Sequence, residues 1–242
     1  MAKLQSNKEL KGFLTLQKNS NMDIKNNLIS FLSTIPDNVQ LVAVSKTKPV
    51  EAIKEAYDAG QRVFGENKVQ DMAAKYEVLP NDIDWHFIGH MQTNKVKYIA
   101  PFVKMIHAVD SLKLIKEINK QAKKNNRVID CLLQFHIAEE ETKFGLNLKE
   151  AKEILESENF AEYANIRIAG VMGMATYTND NEQIRSEFKQ LKIYSNTLRK
   201  EFFSTASYFK EISMGMSGDY KIAVQEGSTM IRIGTKIFGS RN

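Results

Sequence analysis

The sequence predicts a (β/α)8 barrel. Three observations carry that expectation. Eight short β-type runs recur along the chain, each is followed by a helical segment or the chain end, and 242 residues is close to the ~250 typical of the fold. An open doubly wound sheet shares the alternation and stands as the alternative, because alternation does not show whether a sheet closes.

The first run, Leu41-Val-Ala-Val-Ser45, is apolar and β-rich, as a strand buried on both faces should be. Pro49 suits the first helical turn after it, Ile53, Ala56 and Tyr57 make an inward stripe, and Gly60 suits the stop. Arg62–Gly65 then leads into a helix over Asn67–Tyr76, and Asp84–Ile88 into one over Gln92–Ile99. Lys104–Val109 precedes a helix opened by Asp110 or Ser111, with Ile115, Ile118 and Ala122 on one face. Ile129–Ile137 is the fifth strand, and Asn147 with Glu150 has the form of a capping box for the next helix. Ile166–Met172 is the sixth, followed by a long helix with Ile184, Phe188, Leu191 and Leu198 at helical spacing. Tyr208–Ile212 is read as the seventh strand, Asp219–Gln225 as its helix, and Thr229–Ile233 as the eighth strand. An extra helical stretch over about residues 8–32 carries Leu10, Phe13, Leu14, Leu16, Ile24, Leu28 and Phe31, and is expected to pack across the barrel. No linker or low-complexity tract interrupts the pattern, so residues 1–242 are expected to form a single domain.

Composition narrows the function classes. With 43% hydrophobic residues and a net charge of +5, the chain has the apolar content to bury a core, which disordered chains lack. One cysteine, Cys131, excludes a disulfide scaffold and a zinc site built of cysteines, and it suits a reducing cytosol. The N-terminal residues lack the apolar core of a signal peptide, and no stretch approaches the ~18 consecutive apolar residues of a membrane span. The chain therefore reads as cytoplasmic, without a membrane partner. Its excess lysines are interleaved with acidic residues, as in Lys113-Leu-Ile-Lys-Glu-Ile-Asn-Lys120, so a nucleic-acid footprint is not expected.

In a parallel barrel, functional groups gather at the carboxyl ends of the strands. That rule selects Lys46, Glu66-Asn67, Gly89-His90, Asp110, His136, Met172-Gly-Met174, Ser213–Ser217 and Arg232–Thr235. The set has no His and carboxylate cluster at metal-ligand spacing, so no metal is expected. Lys46 follows a buried strand directly and points into the mouth, where burial and neighbouring cations favour the neutral amine that a Schiff base needs. A surface lysine in a polar loop is the plainer alternative. The loops after strands seven and eight, Ser213–Asp219 and Arg232–Thr235, combine glycine, hydroxyls and a helix start. Barrels commonly hold a phosphate there, although either loop alone would pass for an ordinary turn. An imine-forming lysine and a phosphate site in one mouth suggest pyridoxal 5′-phosphate or a Schiff-base aldolase. Arg232, if it points inward, is placed to face the pyridine nitrogen and keep it unprotonated. Its alternative role is to bind the phosphate or a carboxylate.

At these residues the sequence resembles the YggS/PROSC family of pyridoxal phosphate homeostasis proteins. The motifs are Ala43-Val-Ser-Lys-Thr-Lys-Pro49, Phe64-Gly-Glu-Asn67, Trp85-His-Phe-Ile-Gly-His-Met-Gln-Thr-Asn-Lys95, Lys143-Phe-Gly145, Ser213-Met-Gly-Met-Ser217 and Ile231-Arg-Ile-Gly-Thr-Lys-Ile-Phe-Gly239. The resemblance implies a barrel like the N-terminal domain of alanine racemase, with Lys46 carrying pyridoxal 5′-phosphate as an internal aldimine. It also implies Ser217, Gly234 and Thr235 as phosphate ligands, Ser213 as a further one, Arg232 as the partner of the ring nitrogen, and Asn67 and His90 along the cofactor face. Val171-Met-Gly-Met-Ala175 departs from the family pattern, in which a Cys or Thr is followed by Ile-Pro.

The family is regarded as binding, storing or delivering the cofactor without catalytic turnover. The implied partners are the cofactor itself and apo-enzymes that accept it, and the chain is expected to be a monomer. A single-domain amino-acid racemase of fold type III is the alternative. Racemisation needs a base on each face of the substrate carbon. Lys46 is one, and in alanine racemase the other comes from a second domain that this chain is expected to lack. His90, His136 and Tyr177 are the internal substitutes. A phosphosugar aldolase remains a third reading.

Overall fold

The computed structural model describes residues 23–140 and 144–240. Its eight strands close into a barrel in sequence order: β1 (Gln40–Val44), β2 (Val63–Glu66), β3 (Asp84–Phe87), β4 (Met105–Val109), β5 (Ile129–Phe135), β6 (Ile166–Gly173), β7 (Glu211–Ser213) and β8 (Met230–Ile233). Every pairing is parallel. The register Leu41↔Ile231, Val42↔Arg232 and Ala43↔Ile233 joins β1 to β8 and excludes the open sheet.

Helices follow the strands as the apolar periodicity anticipates: α2 (Val50–Asp58), α3 (Val69–Tyr76), α4 (Leu112–Lys124), α5 (Leu148–Leu155), α6 (Asn181–Phe202), α7 (Tyr220–Gln225) and the single turn α8 (Thr235–Phe238), with α1 (Ile24–Leu32) ahead of β1. The Ser111 hydroxyl accepts from the Leu114 N–H to open α4. Asn147 and Glu150 exchange side-chain and backbone hydrogen bonds in the capping box that opens α5. Two segments depart from expectation. Thr93–Tyr98 is a 3-10 helix rather than an α-helix. The seventh strand begins at Glu211, because Phe209 stacks on Phe203 (ring centroids 4.3 Å apart) as a buried plug ahead of the strand. An apolar run that looked like strand is therefore a packed turn.

The core has two layers. Outside the sheet, Phe64, Trp85, Phe87, Ile106, Phe135 and Phe188 pack between strands and helices, all essentially without solvent contact. Each contributes on the order of 1.5–3 kcal/mol by burial. Inside the barrel, Val42, Val63, Met105, Ala108, Leu132, Ala169, Met172 and Met230 fill the lumen. Of the expected helical stretch over residues 8–32, the part before residue 23 lies outside the described residues. The remainder, α1, packs on the outer ring, not across a barrel end. The Asn27 side-chain amide donates to the Ile237 carbonyl at 3.2 Å, and Phe31 meets Tyr220 with centroids 5.1 Å apart. Because α8 is only one turn long, α1 covers the seam where β8 meets β1.

Candidate functional site

The carboxyl ends of the strands frame a cavity of about 410 Å³. Lys46, Asn67, Ser217, Arg232, Gly234 and Thr235 all line it, together with His90 and Tyr177. The structure thus brings together every residue nominated for the cofactor except Ser213. Lys46 is half-buried one turn beyond β1. The next residue, Thr47, has φ 65°, a left-handed conformation that a β-branched residue rarely adopts and that costs of order 1–3 kcal/mol. Its neighbours hold it there. The Lys48 N–H donates to the Ser45 carbonyl at 3.0 Å, and the Lys48 ammonium donates to the carbonyls of Phe238 (2.9 Å), Gly239 (3.3 Å) and Ser240 (3.0 Å). One lysine therefore ties the Lys46 turn to the end of α8, whose first residue is Thr235.

Two glycines let the rim close up. At Gly89 a Cβ would come within 2.4 Å of the Asn67 carbonyl, so the loops after β2 and β3 touch only because none is present. Gly215 has φ 97°, and a Cβ there would meet Ala223 at 2.6 Å. Its conformation seats the Ser213–Ser217 segment on α7 and offers the Gly215 carbonyl to the Arg232 N–H at 2.9 Å.

Ser213 is the correction. It is fully buried and does not line the cavity, so it is not placed to bind a phosphate. Since β7 ends one residue later than expected, Ser213 is its last residue and faces the lumen. There its hydroxyl accepts from Arg232 Nη1 (2.6 Å) and meets His107 Nδ1 (3.0 Å), whose Nε2 meets His86 Nδ1 (3.0 Å). Arg232 also donates to the carbonyls of Ser213 (2.8 Å) and Gly173 (3.1 Å). Burial lowers the Arg232 pKa to about 10, against a pull from Asp219, and leaves the guanidinium charged at neutral pH. Burial holds both imidazoles neutral. His86 drops to about 3, with Lys104 adding to the effect, and His107 falls well below 6.5, with His86 and Arg232 adding.

The remaining nominees divide. His90 Nδ1 lies 3.5 Å from an Asp110 carboxylate oxygen, and its ring stacks on Phe144 (centroids 4.6 Å apart). His136 pairs with the Glu140 carbonyl at 2.9 Å and is not on the cavity wall. Tyr177 stands at the rim, 98% exposed. Glu66 faces outward, where it accepts from Lys75 (2.6 Å) and Ser45 (2.7 Å) and anchors α3 to the barrel. Met174, in the segment that departs from the family pattern, lines the cavity. Sequence reasoning passed over His86 and His107. The signal was a polar residue inside each of two apolar runs, Trp85-His86-Phe87 and Ile106-His107-Ala108, since a buried polar group implies a partner.

The comparisons with known proteins fit this geometry. Residues 21–242 match the model of the alanine racemase N-terminal domain. A pyridoxal phosphate homeostasis protein of Aquifex aeolicus is 41% identical over 203 residues, covering 84% of this chain and 87% of the relative. One of Escherichia coli is 35% identical over 211 residues, covering 86% and 88%. Among solved structures, PipY of Synechococcus elongatus with pyridoxal phosphate bound superposes with a TM-score of 0.81 at 35% identity, covering 89% of this chain and 100% of that one. Alanine racemase of Bartonella henselae shares the fold at 16% identity, with a TM-score of 0.65 over 90% of this chain and 58% of that one. With its closed barrel, its mouth cavity and these relatives, the chain belongs to the pyridoxal phosphate homeostasis protein family, within the alanine racemase N-terminal-domain fold.

Proposed function

We propose that the protein binds pyridoxal 5′-phosphate in the barrel mouth, buffers it in the cytoplasm as a monomer, and delivers it to apo-enzymes. One observation carries the reading. A lysine, two hydroxyl residues on separate loops and a buried guanidinium share a single cavity. Among the described residues, that guanidinium hydrogen-bonds only neutral oxygens. The donor set matches the cofactor from end to end. Lys46 supplies the amine for the Schiff base. Ser217 and Thr235, with the backbone at Gly234, hold the phosphate. Arg232 sits at the floor for the ring nitrogen, and Asn67, steadied against Gly89, lines the wall. When bound, the cofactor supplies an electrophilic carbon that exchanges one amine for another.

The racemase reading has one observation in its favour, the His90–Asp110 pair on the same cavity. His90 is about half exposed (46%) and stacked on Phe144. We assign no turnover to the site. An equilibrium titration with pyridoxal phosphate and an enantiomer-resolved assay with alanine and serine test the two readings together. Tight binding without racemisation is the expected result. Racemisation at ~1 s⁻¹ or faster, within the ordinary enzyme range, that disappears in Lys46→Ala would establish the racemase instead.

A further inference from the structure

Through the apolar lumen below the mouth runs a connected line of polar side chains: Arg232 from β8, Ser213 from β7, His107 from β4 and His86 from β3. They touch end to end at 2.6, 3.0 and 3.0 Å. The direction of the hydrogen bonds in this line follows from its first member and from the partners of Ser213. A guanidinium only donates, so the Ser213 oxygen accepts from Arg232. Among the described residues its hydroxyl meets no acceptor but His107 Nδ1, so its single hydrogen goes there. His107 then carries its proton on Nε2 and donates to His86 Nδ1, which leaves the His86 proton on Nε2. Both rings must be neutral for this order, and their burial against nearby cations keeps them so. Because the line ends in a group that cannot accept a proton, it is a fixed polar strut rather than a proton path.

A strut of neutral groups does what a carboxylate at the same place would not. It fixes the plane of the guanidinium without an ion pair, the Asp219 carboxylate acting only through space, and the N–H bonds not used on Ser213 and Gly173 remain for a ligand on the cavity floor. A firmly aimed cation favours a ligand atom with a lone pair and disfavours one that carries a proton. We infer that His107, with His86 and Ser213, is a positioning residue that aims Arg232 at the ring nitrogen and makes the site selective for an unprotonated pyridine. The inference rests on the proposed placement of pyridoxal phosphate over Arg232.

The test compares the affinity for pyridoxal phosphate with that for its 1-deaza analogue, in which C–H replaces the ring nitrogen, in wild type, His107→Leu and His107→Gln. Glutamine can accept from Ser213 through its oxygen and donate to His86 through its nitrogen, so it preserves the order of the strut. Wild type is expected to favour the natural cofactor by about tenfold, the equivalent of one charge-assisted hydrogen bond. The ratio should fall to about one in His107→Leu and recover in His107→Gln. A general loosening of the barrel weakens both ligands alike, so an unchanged ratio in a folded His107→Leu overturns the inference. Should the leucine variant fail to fold, nitrogen-detected NMR of wild type reads the tautomers directly. Nε2–H on both rings supports the strut, and Nδ1–H or a cationic ring at His107 at neutral pH overturns it. A wild type that binds both ligands equally defeats this inference alone, whereas one that binds neither defeats the proposed function as well.

Discussion

Thr235 and Ser217 line the cavity from the segments after β8 and β7, and each brings one hydroxyl to the proposed phosphate end. Thr235 is exposed and Ser217 half-buried, so neither supports the core. Thr235→Val and Ser217→Ala should each weaken cofactor binding by about 1.5–3 kcal/mol, the worth of a hydrogen bond to a charged group, with unfolding midpoints unchanged. Titration of both variants checks this, and wild-type affinity in both would mean the phosphate lies elsewhere. The buried imidazoles make a second prediction, on pH. His86 in the folded protein titrates near 3, against 6.5 for an ordinary histidine, and His107 is lowered as well. Below pH 6.5 the unfolded chain binds protons that the folded one refuses, so the contribution to stability is complete above that value and is lost as pH falls toward 3. Each ring contributes a slope of up to about 1.4 kcal/mol per pH unit. His107→Gln should therefore flatten the acid limb of apo-protein stability between pH 6.5 and 4.5, measured by urea unfolding. An equally steep limb in the variant would show that His107 is charged in the native state.

At the scale of elements, strand parity decided which site residues were legible. Arg232 lies within β8, and Lys46, Asn67, Gly234 and Thr235 come just after strands whose ends the sequence places to within a residue or two; the structure puts all of them on the cavity. Ser213 is the last residue of the shortest strand, three residues long, preceded by a buried Phe209 that imitates strand pattern. Ending that strand one residue later than expected places its side chain in the lumen instead of in the mouth loop. The two histidines were hidden for a different reason. They pair with each other on the neighbouring strands β3 and β4, and His107 reaches Ser213 on β7, three strands further round; a side chain that hydrogen-bonds across a lumen leaves no local spacing to read. Helix α1 shows the separation of fold from site. Leu28 is fully buried on the seam between β8 and β1. Leu28→Ala should cost about 2–5 kcal/mol of stability while cofactor affinity in the folded protein stays at the wild-type level. Affinity falling along with stability would mean that the seam also shapes the mouth.

For the whole molecule, the alternation of elements predicted the barrel, but only the β1–β8 pairing closes it, and no sequence period encodes closure. The polarity of the interior follows the same division. Methionine, valine, leucine and alanine fill most of the lumen, the buried His86–His107–Ser213 line crosses it, and Lys46, Asn67, Ser217 and Thr235 gather at the mouth. Lys46 stands where the two meet, on a strained turn that Lys48 clamps to the carbonyls beyond α8. The most direct test of this account is to add pyridoxal phosphate in equimolar amount, reduce with borohydride, digest and map the pyridoxyl group by mass spectrometry. The account predicts the label on Lys46 alone and none in Lys46→Ala. Label on Lys48 or Lys95 in place of Lys46, or no covalent label in a protein that still binds the cofactor, would contradict it.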